Sequence, residues 1–373
     1  FEKMPGFGKP LKENRIARTQ ESRAKLEAIE AEIAAAKKAA AEVGIPTAKI
    51  NERGGLTVWQ RLEYLVDPGT WQPLHSLYNP EDNEEGTTNV VDGLGKISGR
   101  WAVIIGFDNK VLAGAWIPGQ ADNVLRVTNL AKRLHIPLVW LVNCSGVKLP
   151  DQEKFYADRR GSGTPFFRHA ELEQAGIPVL AGIYGTNPAG GGYQAISPTI
   201  LLAHKDANIA VGGAGIVSGM TPQGGFDVAG LEQLIANARG MKDSPPGSAA
   251  MHYGETGFFT RVYDEETGVL DGLKEYMRAI PAYDPMFFRV AEPAEPQLPA
   301  ADLYHLLPFN QKSDYSFDDI LARLVDASEH MEFRPGYGPE VYTGLVKMDG
   351  MLVGAIGNRQ GLLPKGYPEY ADY

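Results

Sequence analysis

The pattern of apolar and polar residues predicts an α/β fold in which helices alternate with buried strands. Apolar runs bounded by Gly or Pro, which are typical of buried strands, occur at residues 136–142 and 177–183. Helical spacing of apolar residues precedes each run, at 122–134 and 166–174. Such alternation is typical of a mostly parallel sheet covered by helices. We therefore expect the loops after these two strands to lie side by side at one edge of the sheet.

Further elements surround this core. The first predicted helix, at residues 11–43, carries one apolar stripe and needs a partner surface, either in its own domain or on another subunit. Other predicted elements include strands at 90–94, 101–107, 111–116 and 207–211 and helices at 193–203 and 318–327. They also include a hairpin of strands 341–348 and 351–357 that turns at Asp349-Gly350.

Composition and charge bound the class of protein. The 373 residues are 43% hydrophobic and 22% charged, as in soluble globular enzymes, and they can form one large core or two domains. The net charge of −10 argues against nucleic acid as the main partner. The single cysteine excludes an intrachain disulfide. With no secretory signal and no run long enough to span a bilayer, we expect a cytoplasmic protein.

Two glycine-containing turns follow the two buried strands. The first is Asn143-Cys-Ser-Gly-Val147, and the second contains three consecutive glycines, Gly190 to Gly192. A residue without Cβ lets another group approach the backbone closely, and the amides at a helix start have no intrahelical partner. Such a turn can present N–H donors to a negatively charged oxygen. It can equally be a tight strand-to-helix junction without chemistry, and this run by itself does not decide between the two.

The sequence offers little side-chain chemistry. It contains no G-x-S-x-G, H-E-x-x-H, Walker or C-x-x-C pattern. The seven histidines are scattered, so we interpret them as structural and predict no metal site. Cys144 follows a buried strand and is interpreted as a core residue rather than a nucleophile. What remains is a site of main-chain donors, which suits reactions in which an oxyanion or enolate forms.

Several motifs resemble those of a known family. Asn143-Cys-Ser-Gly-Val147 is similar to an Asp-Ser-Gly-Gly-Ala motif, and residues 187–198 (NPAGGGYQAISP) are similar to Ala-Gly-Gly-Ala-x-Tyr-Ser-Pro. Residues 333–338 and 343–350 resemble the opening of a second domain. These motifs belong to the carboxyltransferase subunits of biotin-dependent acyl-CoA carboxylases and decarboxylases. The resemblance covers the chain from about Gly54 onward and is strongest to the glutaconyl-CoA decarboxylases.

The resemblance implies a crotonase-like α/β fold and an oxyanion hole. Its two donors would be the backbone N–H groups of Val147 and Gly191, with Gly146, Gly190 and Gly192 shaping the turns. The implied domains are an N-terminal arm and helix at 1–46, an acyl-CoA-binding crotonase-like domain at 47–291, a Pro-rich linker at 292–300, and the start of a second, biotin-side domain at 301–373 that is apparently incomplete.

The substrate that the resemblance implies, an acyl-CoA with a distal carboxylate, carries negative charges that need cationic contacts. Lys148, Arg159, Arg160 and Arg168 come after the first turn and are candidates for the CoA phosphates and the distal carboxylate; solvated surface charge is the alternative for each. Tyr193 either lines the acyl pocket or packs. Val147 replaces the family's usual Ala and should narrow the acyl pocket. Residues 115–118 (AWIP) replace a Gly-Ser segment with smaller side chains.

The resemblance implies removal of the 4-carboxylate of glutaconyl-CoA, with CO₂ passing to biotin on a separate carrier protein and crotonyl-CoA as product. Two alternatives stay open: a carboxylase subunit for propionyl-CoA or methylcrotonyl-CoA, and a non-catalytic scaffold that holds other subunits. The implied partners are a second copy in a homodimer, the biotin carrier subunit and an integral membrane sodium-pump subunit. The chain would then be cytoplasmic and associated with the membrane only through these partners.

Overall fold

The computed structural model describes residues 4, 6–156, 161–193, 198–210, 247–280, 289–307, 315–333, 335 and 340–359. Contacts divide the chain into a larger unit, Ala36–Tyr283, and a smaller unit formed by Phe1–Ala35 with Asp284–Tyr373. Arg159 and Arg160 lie outside the described residues, as does most of the motif at 333–338.

Helices and strands alternate through much of the described chain. The helices are α1 (Glu13–Arg18), α2 (Gln20–Glu42), α3 (Thr47–Asn51), α4 (Val58–Leu65), α5 (Gln120–Leu134), α6 (Gln152–Tyr156), α7 (Gly163–Gln174), α8 (Gly190–Tyr193), α9 (Ala249–Gly254), α10 (Glu266–Ala279), α11 (Leu303–Leu306) and α12 (Phe317–Leu321). The strands are β1 (Gln72–Leu74), β2 (Val90–Ile97), β3 (Arg100–Phe107), β4 (Leu138–Val142), β5 (Val179–Ile183), β6 (Thr186–Pro188), β7 (Ile200–His204), β8 (Asn208–Ala210), β9 (Arg261–Tyr263), β10 (His330–Glu332), β11 (Val341–Met348) and β12 (Met351–Asn358). None of the described helices is both long and apolar enough to cross a membrane.

The larger unit is built on a seven-stranded sheet in the order β1-β2-β3-β4-β5-β7-β9. The first three strands pair antiparallel, and the others continue in parallel. Every residue of β4 and β5 is buried, because hydrophobic side chains cover both faces of the sheet. Since Val142 is the register partner of Ile183, these neighbouring strands end together, and the turns that follow them share one edge.

Three predicted elements are wrong in part. Of the helix predicted at 193–203, residues 194–197 lie outside the described residues and Tyr193 ends α8. Ile200–His204 is strand β7, because this apolar run pairs with β5 and β9 inside the sheet. The strand predicted at 111–116 is replaced by a 3₁₀ turn at Leu112–Gly114 with positive φ values. The helix predicted at 318–327 ends at Leu321.

The long first helix is interrupted and solvent-exposed. Thr19 separates α1 from α2, and its hydroxyl donates to the Arg15 carbonyl at 2.9 Å. No residue of α2 is buried, and Ile29 and Ile33 are 42% and 44% exposed. The partner surface that its apolar stripe requires therefore stays a prediction.

The smaller unit contains a three-stranded antiparallel sheet, β10-β11-β12. The N-terminal arm packs on it: the Phe7 ring stacks on His330 with centroids 3.8 Å apart. Arg323, which is 1% exposed, donates to the Lys9 carbonyl at 3.0 Å and to Asp302 at 2.9 Å. The first residues of the chain are thus part of the unit that contains its last described strands.

The two units contain the same capped hairpin. In the larger unit, Asp67 follows α4 and accepts the amides of Ser98–Gly99 at 3.1 and 2.6 Å. In the smaller unit, Asp326 follows α12 and accepts the amides of Asp349–Gly350 at 2.9 and 2.7 Å. Both turn residues have positive φ in each case, as in the type I′ turn of a two-residue hairpin. The shared arrangement indicates a structural repeat.

We predict that Asp67→Ala and Asp326→Ala each lower the free energy of unfolding by about 2 kcal/mol, because each removes two charge-assisted hydrogen bonds. Chemical denaturation followed by circular dichroism measures the change. Asp206→Ala is the control, since its side chain is 77% exposed. Losses no larger than the control's would show that the caps contribute nothing to stability.

Candidate active site

The first turn follows β4 and holds Val147 beside Trp116. The Trp116 amide donates to the Gly146 carbonyl at 2.8 Å, and the Lys148 amide donates to the Trp116 carbonyl at 2.9 Å. Because successive backbone groups in a β-bridge point to opposite sides, the N–H of Val147 points away from Trp116. It has no hydrogen-bond partner among the described residues. This amide is therefore available to a ligand.

The second turn follows β6 and opens α8. Ala189, with φ of 45°, accepts the amides of Gly192 at 2.9 Å and Tyr193 at 3.2 Å. Within the described part of the chain, the amides of Gly190 and Gly191 have no backbone partner, as is usual in the first turn of a helix. The second turn thus also offers unpaired donors.

The two turns are in direct contact. A Cβ atom at Gly191 would lie 2.6 Å from the Cys144 carbonyl oxygen and 2.9 Å from its Sγ, so only glycine fits without a shift. Asn187 is fully buried, and its Oδ1 accepts the Cys144 amide at 2.7 Å. Its Nδ2 donates to the carbonyls of Tyr184 at 2.9 Å and Gly185 at 3.1 Å. One side chain of the second turn thereby fixes the backbone of the first.

The structure brings the predicted turns together at the carboxyl edge of the sheet. The glycines of the second turn are all buried, and Gly146 in the first turn has φ of +100°, a conformation that favours glycine. The assignment of Val147 and Gly191 as the two oxyanion donors stays a prediction, and the geometry described above is compatible with it.

Cys144 is a core residue. It is fully buried among hydrophobic side chains, and this burial raises the pKa of its thiol to about 12. Since the thiolate is the nucleophilic form, the thiol is inert at neutral pH, and the interpretation of Cys144 as a core residue holds.

The predicted cations that the structure describes are both ion-paired. The Nζ of Lys148 lies 2.8 Å from Glu85 and 3.4 Å from Asp151, and the hydrogen bond to Glu85 raises the pKa of Lys148. Arg168 is ion-paired with Glu171 on the same helix, α7. To contact a substrate, either cation must keep its carboxylate partner while also binding the substrate, or release that partner.

Aromatic rings extend from the first turn to α8. The Trp116 ring is fully buried and packs against Phe155, with centroids 4.8 Å apart, and against Phe166 at 6.0 Å. Phe166 meets the Tyr193 ring edge-on at 5.9 Å. Tyr193 is 40% exposed, so it packs on one side and faces solvent on the other, which accommodates both predicted roles.

A cavity of about 340 Å³ lies against the second turn. Its apolar and aromatic lining includes Gly192, Tyr193, Ile209, His252 and Phe258. The ring of His252 is held by the Ile209 carbonyl at 3.0 Å and the Thr256 hydroxyl at 3.4 Å. Both ring nitrogens are therefore engaged, in agreement with a structural role for this histidine.

The sequence assigned no role to Asn187, although it lies inside a quoted motif. An Asn that follows a strand and precedes Pro often bonds to nearby backbone in a turn, and its bonds to residues 184 and 185 fit that signal. The bond to Cys144 spans 43 residues of sequence. No local pattern predicts such a contact.

This mixed sheet with two glycine turns at its edge defines the class of protein. The chain belongs to the carboxyl transferase domain family, whose model matches residues 49–365. The crotonase-like α/β fold expected from the resemblance is confirmed.

Two proteins of known name and one solved structure are similar to this chain. The glutaconyl-CoA decarboxylase subunit alpha of Acidaminococcus fermentans is 52% identical, over 99% of this chain and 62% of that protein. The biotin-dependent 3-methylcrotonyl-coenzyme A carboxylase beta1 subunit of Mycobacterium tuberculosis is 28% identical, over 82% of this chain and 56% of that protein. The solved geranyl-CoA carboxylase beta subunit of P. aeruginosa has a TM-score of 0.74 at 22% identity, covering 97% of this chain and 65% of its own. The chain thus spans less than two thirds of each of these relatives.

We predict that Asn187→Ala lowers the free energy of unfolding by roughly 3 kcal/mol, because it removes the side-chain partner of the buried Cys144 amide and of the Tyr184 carbonyl. Denaturant unfolding measures the loss. Asn51→Ala, at an exposed position, removes an amide side chain as a control. Equal stability of the two variants would contradict the role of Asn187 in tying the turns.

The Cys144 thiol predicts a specific dependence of stability on pH. The unfolded chain loses the thiol proton near pH 9, whereas the folded chain keeps it until about pH 12. Stability should therefore fall between these values by roughly 1.4 kcal/mol per pH unit. The measurement is denaturant unfolding from pH 8 to 11, with Cys144→Ala as the reference because it lacks this proton. Parallel pH profiles of the two proteins would refute the prediction.

Proposed function

We propose that the protein carrying this chain removes the 4-carboxylate of glutaconyl-CoA and yields crotonyl-CoA. The observation that carries the proposal is the pair of adjacent turns in which the amides of Val147, Gly190 and Gly191 have no partner among the described residues. The 52% identity to the glutaconyl-CoA decarboxylase subunit alpha of Acidaminococcus fermentans supports this choice of substrate within the family.

The proposed reaction develops negative charge at one atom. The 4-carboxylate is conjugated through the double bond to the thioester carbonyl. When the C–C bond to the carboxylate breaks, its electron pair moves onto the carbonyl oxygen and forms a dienolate. The N–H groups of Val147 and Gly191 would donate to that oxygen. Each preorganised donor contributes roughly 3 kcal/mol to lowering the barrier, and no protein base is needed to break the bond.

The carboxyl group that leaves requires an acceptor. In the proposal, biotin on a separate carrier protein takes it up, and we assign no residue of this chain to holding biotin. Protonation of the dienolate then gives crotonyl-CoA.

Substrate binding would use the groups around the two turns. We propose Lys148, Arg159, Arg160 and Arg168 as contacts for the CoA phosphates and the distal carboxylate, and Tyr193 as a wall of the acyl pocket. The Trp116 ring supports our proposal that the acyl pocket is narrow, because this buried ring fills the space behind the first turn.

The proposal extends to organisation and assembly. Residues 47–291 would form the acyl-CoA domain, and 301–373 would begin a second domain of the same kind after a linker at 292–300. The capped hairpin present in both units supports this division. Proposed partners are a second copy, a biotin carrier subunit and a sodium-exporting membrane subunit, which would hold the chain at the membrane from the cytoplasmic side. Copurification of the tagged full-length protein with these subunits tests the assembly.

The substrate is tested on the full-length protein with its biotin carrier. We expect crotonyl-CoA to form from glutaconyl-CoA only when biotinylated carrier is present, as followed by chromatography of the acyl-CoA products. Faster carboxylation of propionyl-CoA or methylcrotonyl-CoA would favour the carboxylase alternative. Failure of any acyl-CoA to bind in calorimetry would favour the scaffold.

We predict that Gly191→Ala and Gly191→Pro each lower kcat by about a hundredfold to a thousandfold. The first forces a Cβ atom against Cys144 and so displaces the Gly191 N–H from its position. The second deletes the amide proton and so removes one oxyanion donor. Gly163→Ala is the matched control, because a Cβ there meets no atom within 4 Å. Near-normal turnover of a folded Gly191→Pro variant would contradict the assigned donor.

A further inference from the structure

Three consecutive residues, Leu112–Gly114, have left-handed backbone conformations. Their φ values are 48°, 52° and 77°, and we call this stretch the left-handed segment. A residue with a Cβ atom rarely adopts such a conformation, because its Cβ crowds the backbone. Strained backbone of this kind clusters at functional sites, where the surrounding structure maintains it. The contacts of the left-handed segment show what its conformation maintains.

The left-handed segment holds the backbone of the first turn. The Leu112 carbonyl accepts the Ser145 hydroxyl at 2.8 Å, and the Ala113 carbonyl accepts the Ser145 amide at 3.2 Å. A Cβ atom at Gly114 would lie 1.8 Å from the Asn143 carbonyl oxygen, so only glycine permits this close approach. These contacts fix the first turn against the left-handed segment.

The side chain of Asn89 clamps both ends of the left-handed segment. It is fully buried, and its Nδ2 donates to the carbonyls of Val111 at 3.1 Å and Ala115 at 2.7 Å. These are the residues directly before and after the segment. The backbone of Asn89 is held as well, because its amide donates to the Thr87 hydroxyl at 3.0 Å and its carbonyl accepts the Asp108 amide at 3.2 Å. Asn89 is therefore a fixed point from which the segment is held.

The other end of the Asn89 amide has no partner. The two accepting carbonyls fix which end is nitrogen, since neither can donate. The Oδ1 atom is buried and has no hydrogen-bond partner among the described residues. A buried acceptor without a donor lowers stability, so stability alone does not account for an asparagine here. What the side chain supplies is one nitrogen that donates to two carbonyls.

We propose that Asn89 is a positioning residue for the proposed reaction, because it holds the N–H of Val147 in place through the left-handed segment. The inference rests on the proposed function, in which this N–H is one of two oxyanion donors. The segment holds Ser145, two residues before Val147 in the same turn. Trp116, which follows the clamped Ala115, forms the β-bridge to Val147. Asn89 itself does not touch the substrate in this proposal.

A positioning role has a specific kinetic signature. A preorganised donor contributes most when negative charge has formed on the carbonyl oxygen, and less when the neutral thioester binds. Displacement of the Val147 N–H should therefore lower kcat and leave KM almost unchanged. It should also weaken the polarisation of a bound thioester carbonyl, which the infrared stretching frequency reports. A residue that only supports folding would change the melting temperature but neither kcat nor the carbonyl frequency of the folded protein.

The experiment uses the full-length protein with its biotinylated carrier and glutaconyl-CoA. Asn89→Asp keeps the shape of the side chain and replaces the donating nitrogen by an oxygen. We expect kcat to fall about tenfold with KM within about twofold, because the donor is displaced rather than deleted. Asn51→Asp, at an exposed position, is the matched control. In infrared difference spectra of bound crotonyl-CoA, isotopically labelled at the thioester carbonyl, Asn89→Asp should show a smaller shift to low frequency than the unsubstituted protein.

A second variant keeps the test decisive should Asn89→Asp fail to fold. Ser145→Ala removes the hydroxyl bond to Leu112 at an exposed position, so kcat should fall about two- to fivefold at unchanged KM. Ser145→Thr keeps the hydroxyl and should restore kcat. Ser76→Ala, at another exposed position, is the control.

The possible outcomes separate the positioning role from the proposed function. Normal kcat and a normal carbonyl shift in folded Asn89→Asp and in Ser145→Ala would overturn the positioning role and leave the proposed function standing. A raised KM at unchanged kcat would do the same. If the unsubstituted protein shifts the carbonyl frequency without converting glutaconyl-CoA, the proposed substrate is wrong, and the shift in the variants decides the positioning role. Binding of crotonyl-CoA without any shift would overturn both.

Discussion

The contact between the two glycine turns is the constraint on which the rest of the candidate site depends. The Gly191 backbone lies so close to Cys144 that a Cβ atom would clash with its carbonyl, and Asn187 holds the two turns together through the Cys144 amide. Neither turn can shift without breaking a buried hydrogen bond. A site made of main-chain donors needs this rigidity, because its stabilising power comes from donors that are already oriented.

Several side chains around the two turns are engaged with their neighbours, whereas the amides of Val147, Gly190 and Gly191 have no hydrogen-bond partner among the described residues. Lys148 is paired with Glu85 and Asp151, the Cys144 thiol is buried and protonated, and the rings of Trp116 and Phe166 pack together. In the proposed reaction, apolar walls would confine the acyl group and the N–H groups of the turns would receive the developing charge.

The same local structure, an Asp that caps a two-residue hairpin turn, occurs in both units. Asp67 and Asp326 each follow a helix and accept two amides of a tight turn. In the larger unit the second hairpin strand pairs in parallel with β4, which carries the first turn of the site at its end. The cap therefore anchors the strand beside which the site is built.

The sequence by itself determined the alternation of helices and strands, the glycine turns and the family, because apolar periodicity and glycine runs are local signals. It placed β4, β5, α5 and the 341–357 hairpin to within a few residues. It misassigned Ile200–His204, because a short apolar run reads equally as helix or strand until its neighbours β5 and β9 are known. Only the tertiary structure decided that Asn187 joins the two turns and that Lys148 and Arg168 are ion-paired. Each of these depends on contacts between residues whose closeness in space no local pattern encodes, or on burial that withdraws a charge from water.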